Sequence, residues 1–208
     1  MEKKEWRELS LLVADIVRDD DIVQHISALR NYHFETYAHS LRVSLYCIRL
    51  GHLNAFDEIK SLGRGALLHD VGKLDVPLQI LDKKGPLSDA ERKIMNDHPR
   101  FGFQRLQGQN YCRERKIAVG HHEHKKGAYP RTDSGRVLMP TALALEKRNY
   151  DIVDFVFTQI VAVADIYDAL ASRRSYKPPL KKCDIERILG DQFTGDTVYV
   201  GQMLSIIK

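Results

Sequence analysis

Residues 41–70 read LRVSLYCIRLGHLNAFDEIKSLGRGALLHD, and their apolar positions return every three or four residues. Leu41, Leu45 and Ile48 share one helix face, and Phe56, Ile59, Leu62 and Ala66 share another, which is the period of amphipathic helices and not of strands. Gly51 reads as the stop of the first helix and Asn54 as the cap of the next. The pattern continues outward in both directions. Trp6, Leu9, Leu12 and Ile16 repeat it upstream, and Ser88 with Glu91 forms a capping box ahead of Ile94 and Met95. Strand-like alternation is almost absent. The expectation is an all-α chain, a compact bundle of about eight helices, with loops at Gly85-Pro86, from Gly127 to Gly135, at Pro140 and at Pro178-Pro179. The longest loop, 123–140, is of the kind that often carries function.

A chain of 208 residues with 43% apolar content can bury one sizeable core, so a single domain over 1–208 is expected. Cys47, Cys112 and Cys183 are odd in number and far apart, which argues against a disulfide framework or a thiolate metal site and for a reduced, cytoplasmic setting. The N-terminal apolar stretch is broken by Asp15 and falls short of the roughly 18 apolar residues of a spanning helix, so neither a membrane segment nor a signal peptide is expected. A net charge of +4 is too mild for a grip on duplex nucleic acid. Basic residues do thicken at Arg113 to Lys116, Lys125 to Arg131 and Arg173 to Lys182, which would suit a small anionic substrate.

The chemistry lies in the nine histidines. Several adjoin a carboxylate or each other, as in His69-Asp70 and His121-His122-Glu123. Mixed imidazole and carboxylate donors suit divalent cations such as manganese or iron. An aspartate can bridge two such ions about 3.5–4 Å apart, with a hydroxide between them attacking phosphorus, and Asp70 is the natural candidate. Phe101, Phe103, Phe155 and Phe157 read as core, and His25, His33 and His52 as ordinary helix residues. His124 is expected at the site mouth.

The joint order of these elements, with HSLRV (39–43), LLHDVGKLDVP (67–77), HPRFG (98–102), HHEHKKGAYP (121–130) and VADIYDALASRRSYK (163–177), resembles the HD superfamily of metal-dependent phosphohydrolases. Within it the chain resembles the HD-GYP branch, which hydrolyses cyclic di-GMP. The resemblance implies an HD-type helical fold with its catalytic core over 33–180, a helical extension over 1–32 and C-terminal helices over 181–208. It implies that His39, His69, Asp70 and Asp165 surround one metal and His98, His121 and His122 a second, with Asp70 between. Glu35, one helical turn before His39, would serve a third. The ions are expected to be iron or manganese. Asp70 and Lys73 are the implied catalytic residues, with Lys73, Arg174, Lys177 and Tyr129 contacting substrate. The implied reaction is attack of a metal-bridging hydroxide on cyclic di-GMP, giving pGpG or GMP.

This chain departs from the branch at Gly127-Ala128-Tyr129-Pro130, where the loop is a residue shorter and lacks the second glycine, so the Tyr129 ring is expected to sit differently. The stretch from Pro130 to Asp165 is also longer than usual, leaving 131–160 as lid, partner surface or core. The alternatives are an HD phosphohydrolase for another nucleotide and a non-catalytic cyclic-dinucleotide-binding module. A homodimer or a regulatory protein partner is compatible with either.

Overall fold

Helix starts and stops along this chain follow local hydrogen-bond chemistry. Asp19 accepts the Asp21 N–H at 3.2 Å and opens a helix, and Asp151 and Asp154 form a reciprocal box that opens another. The computed structural model describes residues 3–129, 151–172 and 180–207. Its α-helices are α1 (Lys3–Ile16), α2 (Asp20–Tyr32), α3 (Phe34–Leu53), α4 (Ile59–Leu68), α5 (Leu78–Leu81), α6 (Asp89–Asn96), α7 (His98–Arg105), α8 (Cys112–Gly120), α9 (Ile152–Ala171), α10 (Lys182–Gln192) and α11 (Val198–Ile206), with 3-10 turns at Val71–Asp75 and Gln109–Tyr111. Among the described residues there is no strand, only one isolated antiparallel bridge between Lys125 and Phe193. The all-α expectation is borne out. The extra helices are short pieces such as the single turn α5.

The centre is α9, apolar on nearly every side and therefore buried. Phe157, Ile160, Val161, Ala162, Val163 and Ala164 are closed off from solvent and pack with Val43, Cys47 and Leu50 of α3 and with residues of α10 and α11. Burial of Phe157 alone stabilises by roughly 1.5–3 kcal/mol. A second apolar cluster joins Leu9 and Ile16 of α1, Ile22 and Ile26 of α2, Ile48, and Leu67, Leu68 and Val71. The N-terminal helices thus seat on the same scaffold that carries His69 and Asp70. No described helix is long and apolar enough to cross a membrane.

The Ser88–Glu91 capping box forms as expected. Three local readings are corrected. Gly51 does not end its helix: α3 runs on to Leu53, and at Gly51 α4 packs close, since a Cβ there would lie 3.3 Å from Ile59 and Leu62. Asn54 closes α3 instead of opening α4, its side-chain amide donating to the Leu50 carbonyl at 2.7 Å. Phe155 is not core: it is 51% exposed, while Val153 and Val156 on the same helix turn inward. Of the longer stretch expected at 131–160, residues 131–150 lie outside the described residues.

Candidate metal centre

Three of the expected histidines sit just past the C-terminal end of a helix. His69 follows α4, His98 follows α6 after a single residue, and His121 follows α8. Last-turn carbonyls lack an intrahelical N–H partner, and each ring uses one. Nδ1 of His69 donates to the Ala66 carbonyl at 2.6 Å, that of His98 to Met95 at 2.7 Å, and that of His121 to Ala118 at 2.8 Å. At His98 the next residue, Pro99, has no N–H to offer Met95. A carbonyl can only accept, so in each neutral imidazole the proton is on Nδ1 and the Nε2 lone pair points away from the helix.

Those lone pairs converge on Asp70, which is almost fully buried. Its two oxygens face different neighbours. Oδ2 lies 3.5 Å from Nε2 of His69 and 3.6 Å from Nε2 of His39, whereas Oδ1 lies 3.2 Å from Nε2 of His98 and 4.0 Å from Nε2 of His121. Asp165, from the middle of α9, stands 3.1 Å from His39 Nε2 and 3.7 Å from His122 Nδ1. The donors fall into clusters of metal-ligand spacing: His39, His69 and Asp165; His98, His121 and His122; and His69, Asp70 and His121. Nε2 of His69, Oδ1 of Asp70 and Nδ1 of His122 are buried without a hydrogen-bond partner, and Nε2 of His98 and of His121 face each other at 3.3 Å. Buried acceptors turned on one another are costly. Divalent cations placed among them would satisfy every one, so the donor set fits such ions.

His39 differs from the other rings. Its Nδ1 donates to Asp168 Oδ2 at 2.7 Å, and Asp168 is itself gripped by Arg42, Nε to Oδ1 at 2.7 Å and a terminal nitrogen to Oδ2 at 2.9 Å, and by the Ser172 hydroxyl at 3.0 Å. Burial alone would lower the His39 pKa, but Asp165 and Asp168 on either side push it up to about 9. Burial, reinforced by neighbouring rings, holds His121 and His122 well below the ordinary histidine range. Burial would raise the pKa of Asp70, but Lys73 and the imidazoles outweigh it and hold the carboxyl well below its usual range. Asp165 is held down in the same way by His39 and His122.

His39, His98, His122 and Asp165 border a cavity of about 540 Å³ whose lining also includes Glu35, Arg42, Lys73, Lys125 and Tyr129. Lys73 reaches Asp70 Oδ2 at 2.5 Å. Tyr129 rests on the His122 ring with centroids 4.3 Å apart, and Gly127 before it adopts φ +70°, a conformation glycine reaches without strain. Glu35 is exposed on the cavity rim and outside the three clusters. Arg174 and Lys177 lie outside the described residues. His124 turns from the site mouth to pack edge-on against Phe155 at 5.3 Å. Of the expected anion-facing clusters, Arg113 and Lys116 are instead engaged by the buried Asp154. Sequence reasoning missed Asp168 and Arg42, and placed Lys125 only within a basic cluster suited to an anion, without singling it out. The signal for the first two was present as paired spacing, His39 with Arg42 and Asp165 with Asp168, each three residues apart on facing helices.

The HD domain family profile matches residues 36–170. The chain is 37% identical over 154 residues to 3′3′-cGAMP-specific phosphodiesterase 2 of Vibrio cholerae, a match covering 70% of this chain and 26% of that protein. It is 32% identical over 189 residues to a cyclic di-GMP phosphodiesterase of Thermotoga maritima, covering 86% of this chain and 47% of that one. The chain thus spans about a quarter to a half of the length of these relatives. Among solved structures, the HD domain of Listeria monocytogenes phosphodiesterase PgpH superposes with a TM-score of 0.58 at 15% identity, over 87% of this chain and 93% of that one, a likeness of fold. With the family profile spanning the helices that carry His39, His69, Asp70, His98, His121, His122 and Asp165, the chain belongs to the HD domain family.

Proposed function

We propose that this chain is a metal-dependent phosphodiesterase that hydrolyses cyclic di-GMP to pGpG or GMP. The observation that carries this reading is the division of Asp70, with one oxygen toward His39 and His69 and the other toward His98 and His121, beside a cavity large enough for a nucleotide. His39, His69, Asp70 and Asp165 would hold one divalent cation and His98, His121 and His122 a second, with Asp70 shared. Iron and manganese suit this nitrogen and oxygen set, and metal analysis showing three ions per chain would bring in Glu35. Such ions supply an activated water and neutralise charge on the phosphoryl oxygens.

The chain's own residues position and neutralise the substrate. Lys73 sits against Asp70, and its ammonium can exchange that contact for a phosphoryl oxygen on which charge develops. Arg174 and Lys177 would add a fork and a point charge to the phosphate. Tyr129, seated on His122, offers an aromatic face to a base. A relative named for 3′3′-cGAMP at 37% identity favours that mixed dinucleotide as the second reading.

The test is incubation of iron- or manganese-loaded protein with cyclic di-GMP and, separately, 3′3′-cGAMP, with chromatography of the products and Asp70→Ala as control. Metal-dependent linear product, absent in the control, is expected. Metal-loaded protein that leaves both cyclic dinucleotides intact would overturn the proposal.

A further inference from the structure

We infer that Lys125 is a substrate-binding residue that contacts phosphoryl oxygens, supplied by the loop after the paired histidines; this rests on the phosphohydrolase reading of the site. Lys125 follows His122 by three residues and borders the same cavity as Lys73, His98, His122 and Asp165. Its backbone is anchored on both sides. The bridge to Phe193 holds Lys125 itself, the Lys126 N–H donates to the Gln192 carbonyl at 2.9 Å, and the Thr194 N–H donates to the His124 carbonyl at 3.0 Å. The loop is thereby stapled to the end of α10.

The side chain is fixed as well. Its ammonium lies 4.6 Å above the centre of the Tyr129 ring and 3.4 Å from the Tyr129 hydroxyl, a cation over an aromatic face. The other cations of the cavity and the adjacent Lys126 are already paired: Arg42 with Asp168, Lys73 with Asp70, Lys83 with Glu91 and Lys126 with Asp191. Lys125 forms no salt bridge to a carboxylate among the described residues. A half-buried ammonium whose partners are a neutral ring and its hydroxyl is incompletely compensated. An anion entering the cavity would complete it, and the phosphates of a nucleotide are the anions this site is built to receive.

The experiment uses manganese-loaded protein hydrolysing bis(p-nitrophenyl) phosphate, a phosphodiester without a base, with inorganic phosphate as competitive inhibitor. Cyclic di-GMP kinetics and bound manganese are measured alongside. Lys125→Met keeps an unbranched side chain of similar length and removes the charge. It is expected to raise the phosphate Ki and the cyclic di-GMP KM about tenfold with manganese content unchanged, and Lys125→Arg should recover most of that loss. An unchanged Ki, or a Ki that rises only together with loss of bound manganese, would overturn the assignment. Should the wild-type chain spare cyclic di-GMP while Lys125→Met still weakens phosphate inhibition, the nucleotide reading fails and the Lys125 contact stands.

Discussion

Asp168→Asn tests whether the centre depends on residues behind its ligands. The substitution keeps shape and volume, so packing in α9 is unchanged, but an amide has a single acceptor oxygen. The carboxylate now receives four hydrogen bonds: Arg42 Nε and Ser172 on Oδ1, and His39 Nδ1 and a second Arg42 nitrogen on Oδ2. With the amide oxygen on either side, the NH₂ confronts two of these donors. Arg42 is 40% exposed, so its bonds count for little after screening. The His39 bond is buried and charge-assisted, worth about 1.5–3 kcal/mol. A ligand ring that loses its orienting partner costs about 10- to 100-fold in metal affinity. Manganese titration of metal-stripped wild-type and variant proteins, followed by calorimetry, should show that loss, with thermal unfolding reporting the smaller stability cost. An affinity within about twofold of wild type would refute the reasoning, meaning either that packing of α3 orients His39 or that an amide oxygen turned to His39 Nδ1 serves as well as the carboxylate.

Lys73→Met should lower phosphodiester turnover by about 10²- to 10³-fold while bound metal is retained, and metal content measured beside kcat distinguishes lost charge from a collapsed site. Gly72→Ala would put a Cβ 1.9 Å from the His98 carbonyl oxygen and 2.3 Å from the Gly102 nitrogen; both are backbone atoms, so a thermal shift should register a loss of several kcal/mol together with weakened metal binding. In the metal-free chain the His39 pKa rises from 6.5 to about 9. The folded state therefore holds that proton more tightly than the unfolded chain, and this stabilisation is present below pH 6.5 and lost as pH rises through about 9. Unfolding midpoints in chelator should fall across that window, and a flat profile would contradict the assignment. Manganese affinity should rise over the same window, because binding at His39 releases the proton.

What could be read from the sequence was whatever lies within one helical turn. His69-Asp70 and His121-His122 are adjacent, and the Ser88–Glu91 box spans a single turn, so composition and spacing suffice for them. The apolar period similarly exposed the all-α class. The readings that failed depend on what packs across. Gly51 looks like a helix stop until α4 crosses it, and Arg113 and Lys116 look like an anion patch until the buried Asp154 meets them. Asp168 is 129 residues from the ring it orients, so only the joint placement of α3 and α9 makes it part of the site.

The three carbonyl-held histidines show why the local signal was nonetheless sufficient for the centre. A helix that stops has carbonyls to share, and a histidine placed just after the stop can take one and turn its other nitrogen outward. His69, His98 and His121 each do this with the residue three positions earlier. Ligand orientation is thus encoded where each helix ends, before any tertiary contact forms, and the fold has only to bring three helix ends around one aspartate. His39 lies inside α3, where the carbonyls are already engaged in the helix, and it alone among the four must take its orienting acceptor from a distant helix. Metal affinity should therefore depend on Asp168, a side chain that is not itself a ligand.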